Sequence, residues 1–202
     1  YGLKSAGYIL KGIDCVNANE IIKYSEFIDN EIELNEDGNL LLSQLVKSCG
    51  DDNVNSFASL NNCIVRKGTK ISRDVVAFGS ESAPLKIGEN SYIGMGCVLQ
   101  GFTSKITIGN NTSLAPGCQV LSDSGPNASL KLQKIYPIMK GDIFIGNDCW
   151  IGSLSVIMPS VSIPDFTVVG SHSLVKYSLK SFTVNAGNPC KIIKRFELND
   201  LN

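Results

Sequence analysis

The sequence predicts an all-β protein coiled as a parallel solenoid, and three observations carry that prediction. Ile145, Ile151, Ile157, Ile163, Val169 and Val175 recur six positions apart without a slip. Four positions after each of the first five comes a small or buried-type residue: Cys149, Ser155, Val161, Thr167 and Ser173. Glycine follows the anchor directly at Gly88, Gly94, Gly109, Gly146, Gly152 and Gly170, as a corner with no room for a large Cβ requires. With 43% apolar residues, six given positions are all apolar in roughly 0.6% of frames, and here all six are β-branched. Neither the helical period near 3.6 nor strict alternation generates a repeat of six. One short flat strand and one corner per repeat does.

The elements follow in order. Residues 1–62 lack the repeat and are expected to form an N-terminal cap. Within it, 17–30 and 40–48 have the pattern of short helices, separated by a turn at Glu36, Asp37, Gly38 and Asn39. Such a mixed, partly helical cap covers backbone edges that an open solenoid end would expose. Val65 and Ile71 begin a weaker first coil. Ile87, Ile93 and Leu99 form one run, with Ser91 and Cys97 in the small-residue slot; Ile108, Leu114 and Val120 form another, with Thr112 and Cys118 in that slot. From Leu99 to Ile108 is nine positions, so a short insertion at 101–105 bulges from a corner. From Val120 to Ile145 is twenty-five, so residues 121–144 leave the coil and return; their mixed composition predicts an ordered, functional loop. Asn185, Ala186, Gly187, Asn188 and Pro189 stop the coil, and 190–198 reads as a short helix packed on it. The organisation expected is therefore a cap (1–62), a solenoid (63–189) and a C-terminal helix and tail (190–202).

Bulk properties exclude several classes. The net charge is −1 and no basic cluster exceeds Lys191–Arg195, which gives nucleic-acid binding little support. No apolar run approaches a membrane span and no signal peptide is evident; the start at Tyr1 rather than Met leaves room for an upstream segment. Seven cysteines, an odd number without a CxxC pair, argue against a disulfide framework or a zinc site. Cys97, Cys118 and Cys149 fit the interior slot as small hydrophobes in a reducing cytoplasm.

Three stretches then narrow the reading: Ile145-Gly-Asn-Asp-Cys-Trp-Ile-Gly-Ser153, Val168-Val-Gly-Ser-His-Ser-Leu-Val-Lys176 and Ala186-Gly-Asn-Pro-Cys-Lys-Ile-Ile-Lys194. They resemble the hexapeptide-repeat acyltransferases, in the branch of galactoside, maltose, nodulation-factor and surface-polysaccharide O-acetyltransferases. The resemblance covers about residues 63–198 and implies a left-handed parallel β-helix. It also implies acetyl-CoA as donor without a metal, and a cytoplasmic homotrimer with sites between subunits, acting on a sugar or sugar nucleotide for a surface polysaccharide. By the same resemblance, Ser153, Ser171 and His172 lie along the cofactor path, and Lys176, Lys191 and Lys194 match positions that face CoA phosphates. Trp150, Ser124 and Asn127 become candidates for the acceptor side, with the extruded loop 121–144 reaching over a neighbouring subunit.

One departure matters. The family's general base is a histidine just after the coil that ends here at Val120, yet this stretch reads Leu121-Ser-Asp-Ser-Gly-Pro-Asn127. The only histidine is His172, in a corner slot that the family usually fills with glycine. Asp123 is the best alternative base, although Asp-Ser-Gly-Pro-Asn is also turn-forming composition and a carboxylate needs burial to serve as a base. An amine acceptor, already nucleophilic when neutral, needs positioning more than a base. A scaffold without catalysis, or an acetyltransferase for an amino acid or antibiotic, remains as the competing reading.

Overall fold

The computed structural model describes residues 58–201. The expected cap helices at 17–30 and 40–48 lie outside the described residues. Among the described residues the solenoid is already present at Ser59, inside the stretch assigned to the cap. Its first coil consists of β1 (Ser59–Asn61), β2 (Cys63–Val65) and β3 (Lys70–Ile71). The second is β4 (Val76–Phe78), β5 (Leu85–Ile87) and β6 (Tyr92–Ile93); the third is β7 (Val98–Gln100), β8 (Ile106–Ile108) and β9 (Ser113–Leu114). In the fourth, β10 (Gln119–Leu121) precedes the excursion, whose own strands are β11 (Asp123–Ser124) and β12 (Met139–Lys140) around the helix α1 (Leu130–Gln133). The coil resumes with β13 (Ile143–Ile145) and β14 (Trp150–Ile151). The fifth is β15 (Val156–Ile157), β16 (Ser162–Ile163) and β17 (Thr167–Val169), and β18 (Leu174–Val175), β19 (Thr183–Ala186) and β20 (Lys191–Arg195) close the chain.

These strands stack into three parallel faces of a triangular prism. One face runs β1-β4-β7-β10-β15-β18, the second β2-β5-β8-β13-β16, and the third β3-β6-β9-β14-β17-β19, with β20 added at its end. The register joins the sequence anchors into columns. Ile71, Ile93, Leu114, Ile151 and Val169 align on the third face. Ala77, Leu99, Val120, Ile157 and Val175 align on the first, and Ile87, Ile108, Ile145 and Ile163 on the second. All are buried. Each such Ile or Leu contributes about 1.5–3 kcal/mol relative to exposure, in a core held only by the coils above and below.

Corners explain the glycines and the slot. A Cβ on Gly109 would lie 2.6 Å from the carbonyl carbon of Gly146 in the next coil, so close approach excludes a side chain there. The left-handed turn falls instead three residues after the anchor wherever the coil continues without an insertion, at Asn90, Gly96, Asn111, Gly117, Asp148, Leu154, Ser160, Phe166 and His172. The slot residues do more than fill space. Ser91 Oγ donates to Gly109 O (2.8 Å), Thr112 Oγ1 to Gly146 O (2.7 Å) and Ser155 Oγ to Gly170 O (3.0 Å), each satisfying a corner carbonyl of the next coil. The Cys118 thiol donates likewise to Gly152 O at 3.2 Å. Burial pushes the Cys63 thiol up to about 12 and the Cys149 thiol up to about 11, so both stay neutral.

The coil stops where the sequence places the stop, but the element after it differs. Residues 190–198 do not form the expected helix: β20 runs antiparallel to β19, and only Leu198–Leu201 turns as a 3-10 helix. All five β20 side chains are exposed, so no apolar face drives a helix onto the prism. Edge pairing with β19 satisfies the backbone instead. Phe196 packs edge-on against Phe182, which stacks on Phe166 at 5.2 Å, securing this end.

Candidate active site

Each coil turns three corners, and the candidate residues divide between them. The corner joining the first and second faces carries both departures read from the sequence, and residues 79–84 add a further one in the second coil. Residues 101–105 bulge from it in the third coil and the excursion leaves it one coil later. The two are stitched together: Lys105 N donates to Asp142 Oδ1 (2.9 Å) and Ile143 N to Lys105 O (2.8 Å). The excursion is ordered, as its composition predicts, with β11 and β12 paired antiparallel through Asp123–Lys140 and Ser124–Met139.

Asp123 sits at the root of that hairpin and is buried. Its Oδ1 accepts from Gln100 Nε2 at 3.0 Å and its Oδ2 from Thr103 Oγ1 at 2.7 Å. One carboxylate thus ties the excursion to β7 and to the insertion below. Gln100 and Thr103 escape a reading by repeat, because one looks like an outward strand residue and the other a loop residue. The available signal is that insertion and excursion leave the same corner in successive coils. Ser124 is half-buried beside Asp123. Asn127 is exposed, its backbone N bonded to Gly125 O (2.9 Å) and its carbonyl taken by Gln133 Nε2 (3.2 Å).

A second group gathers at the corner between the third and first faces. Ser153 and His172 stack in successive coils, with His172 N donating to Ser153 O at 2.9 Å. Ser171 and His172 are exposed, and the left-handed backbone at His172 (φ 56°) turns its side chain out of the core. The stop loop lies over them: Gly187 N donates to Ser173 Oγ at 3.0 Å, and Lys191 follows directly, paired with Ala186. The other two lysines lie on either side of this corner, each one strand away. Lys176 lies past β18 with its Nζ 5.3 Å from the Tyr177 ring centre, and Lys194 pairs with Val184 on the third face. All three lysines are exposed, which suits a polyanionic ligand running along the last coils. Trp150 projects from the same third face between Ser113 and Val168, more than half exposed.

The fold therefore gathers Ser153, Ser171, His172 and the backbone of Lys191 at the corner between the third and first faces, with Trp150 and Lys194 on the third face, whereas Lys176 follows β18 at the corner joining the first and second faces. It does not bring Asp123, Ser124 and Asn127 to that group: their corner is opposite the face that carries Trp150. Among the described residues no three His, Cys, Asp or Glu side chains converge as a metal site, and no helix is long and apolar enough to cross a membrane.

No family profile matches the chain. Galactoside O-acetyltransferase of Escherichia coli K12 is 36% identical over 122 residues, which are 60% of this chain and 58% of that relative's length. The solved galactoside acetyltransferase in complex with coenzyme A superposes with a TM-score of 0.61 at 24% identity, over 93% of this chain and 86% of that one. A variant of AntD, an N-acyltransferase from Bacillus cereus solved with dTDP-4-amino-4,6-dideoxyglucose and coenzyme A, superposes with a TM-score of 0.61 at 21% identity, over 73% and 82% of the two chains. The solenoid is the left-handed parallel β-helix of the hexapeptide-repeat acyltransferases. The chain itself is a homologue of galactoside O-acetyltransferase, aligned over somewhat more than half of that enzyme.

Proposed function

We propose that this protein is an acetyltransferase that moves an acetyl group from acetyl-CoA to a sugar or sugar nucleotide destined for a surface polysaccharide. The observation that carries this reading is the 36% identity to galactoside O-acetyltransferase over 122 residues of a matching solenoid. The thioester supplies an activated acyl group. The chain's own residues supply placement: Ser153, Ser171 and His172 border the path of the cofactor arm, while Lys176, Lys191 and Lys194 neutralise its phosphates.

The acceptor side needs a second copy of the chain. A triangular prism has flat faces, and Asp123, Ser124 and Asn127 lie at a corner opposite the face carrying Trp150. A homotrimer, in which one copy's excursion covers the cofactor corner of the next, joins the two halves. In that arrangement Ser124 and Asn127 orient the acceptor, Trp150 walls its pocket, and Asp123 fixes the hairpin that carries them.

The missing histidine favours an amine acceptor. Residues 121–144 contain no histidine, and both oxygens of Asp123 already accept hydrogen bonds. A neutral amine held against a thioester reacts without a strong base, because alignment alone removes much of the barrier. AntD, with its amino-sugar nucleotide, is an N-acyltransferase on this fold.

Titration calorimetry with CoA and acetyl-CoA tests the donor, followed by turnover on amino-sugar nucleotides against their hydroxyl counterparts. Micromolar binding and turnover on the amine are expected. A folded protein that binds neither donor is a scaffold without catalysis, and turnover only on hydroxyl acceptors overturns the amine reading.

A further inference from the structure

We propose that the corner joining the first and second faces holds an acceptor of more than one sugar ring, an oligosaccharide rather than a nucleotide-linked monosaccharide, with Phe102 as its stacking platform. The proposal rests on the acetyl-transfer reading above and names the acceptor class for it. Three successive coils carry loops at this corner: 79–84, 101–105 and the excursion. Their bases are stacked. Gly101 N donates to Phe78 O at 2.7 Å, and Ser122 N to Gln100 O at 2.9 Å. A Cβ on Gly101 would lie 3.6 Å from Gly79 Cα, so the two lower loops touch. The corner is thus a stair of three steps, each about 4.8 Å from the next.

Phe102 is the unusual member of the middle step. Its side chain is 63% exposed, yet the chain on both sides of it is fixed. Gly101 is buried, and Thr103 Oγ1 donates to the buried carboxylate of Asp123 at 2.7 Å. Two residues on, Lys105 N donates to Asp142 Oδ1 at 2.9 Å. A loop free to collapse would lay such a ring on the prism and remove it from water. These bonds hold it out in solvent instead. The step below is closed on itself: Ser80 N donates to Ala83 O (3.0 Å) and Ala83 N to Ser80 O (3.1 Å), with Glu81 and Ser82 exposed at its tip. The step above carries Ser124.

Chemistry identifies the ligand. A pyranose packs its C–H face on an aromatic ring and turns its rim of hydroxyls to polar side chains, which this corner supplies as Ser82, Glu81, Thr103 and Ser124. A sugar nucleotide would instead lay a diphosphate beside the reacting sugar, and a diphosphate calls for cations. Residues 79–84 and 101–104 contain no Lys or Arg. A further sugar suits the steps, because the coil spacing of about 4.8 Å is close to the length of one pyranose unit.

The test is calorimetric titration of the full chain with glucosamine, its β-1,4-linked dimer and tetramer, and UDP-glucosamine. Affinity is expected to rise about tenfold from glucosamine to the dimer, the scale of one ring stacked on an aromatic face. Phe102→Ala is expected to abolish that rise and Phe102→Tyr to keep it, with melting temperature and CoA affinity as in the parent for both. Equal affinity for glucosamine and its oligomers overturns the proposal, as does a rise that survives Phe102→Ala or no saccharide binding at all. Tighter binding of UDP-glucosamine than of the dimer overturns it in favour of a nucleotide-linked monosaccharide. A change of oligomeric state in Phe102→Ala, read by sedimentation, overturns it in favour of a contact between copies. Failure of the parent to bind CoA counts against acetyl transfer, and the saccharide series then decides this proposal by itself.

Discussion

Asp123 shows how one side chain can be read two ways, and its geometry separates them. As a base it must lose function on conversion to the amide; as a tie between elements it need not. Asparagine can keep its oxygen toward Gln100 Nε2 and turn its amide toward the Thr103 hydroxyl, which accepts as well as donates. Asp123→Asn is therefore expected to retain near-normal turnover and stability. Asp123→Ala removes both bonds and should cost about 1–2 kcal/mol in urea unfolding, with a fall in activity as the hairpin loosens. Turnover that collapses in the Asn variant at unchanged stability would make Asp123 the base. The buried thiols allow a second prediction at this scale. Cys63 and Cys149 titrate near 12 and 11 in the fold against 9.0 ordinarily, so above pH 9 the native state holds protons that the unfolded chain releases. Their contribution is complete below pH 9 and lost as pH rises through the folded values, by up to about 1.4 kcal/mol per pH unit for each thiol. The urea midpoint should fall between pH 8.5 and 10.5, and less so in Cys63→Ala/Cys149→Ala. Identical pH profiles for the two proteins would show that these thiols do not carry the dependence.

At the scale of elements, the column is the unit that matters. Ile151 lies between Leu114 and Val169 with no exposure, so Ile151→Asp places a carboxylate in an apolar stack without a partner. The expected cost exceeds about 4 kcal/mol, read as loss of the folded circular-dichroism signal; wild-type melting would mean that the register is wrong. These columns were legible because a period of six places every anchor on the inside, whichever face it belongs to. The departures were legible as lengths: nine positions to Ile108 and twenty-five to Ile145 mark the same corner. What the period does not report is pairing across distance. Ile192 and Ile193 are β-branched and favour the strand they form, but the partner that completes it, the edge of β19, is not visible in the local sequence. Gln100 and Thr103 were silent for the same reason, since their partner Asp123 is more than twenty positions away in one case and twenty in the other. The slot cysteines read as filler; their donation to corner carbonyls becomes visible only when successive coils are stacked.

At the scale of the molecule, the two halves of the proposed site sit on different sides of one prism, so the proposed function stands or falls with assembly. The cofactor half can be disabled by Lys191→Glu/Lys194→Glu, which removes two exposed cations while leaving the buried columns untouched. This variant should weaken CoA binding in calorimetry and melt like the parent; unchanged affinity would remove both lysines from the site. The acceptor half can be disabled by Ser124→Ala/Asn127→Ala in the excursion. Each variant alone should have little activity. Mixed in equal amounts under conditions that exchange subunits, they place one intact excursion beside one intact cofactor corner at about a quarter of the interfaces of a cyclic trimer. Activity should then recover to about a quarter of the parent's, because each interface draws its two halves independently from two equally abundant chains. No recovery, with exchange verified by mass spectrometry, would place a complete site within one chain. The excursion would then have to fold back around its own corner, and the opposed positions of Asp123 and Trp150 would have no role in catalysis.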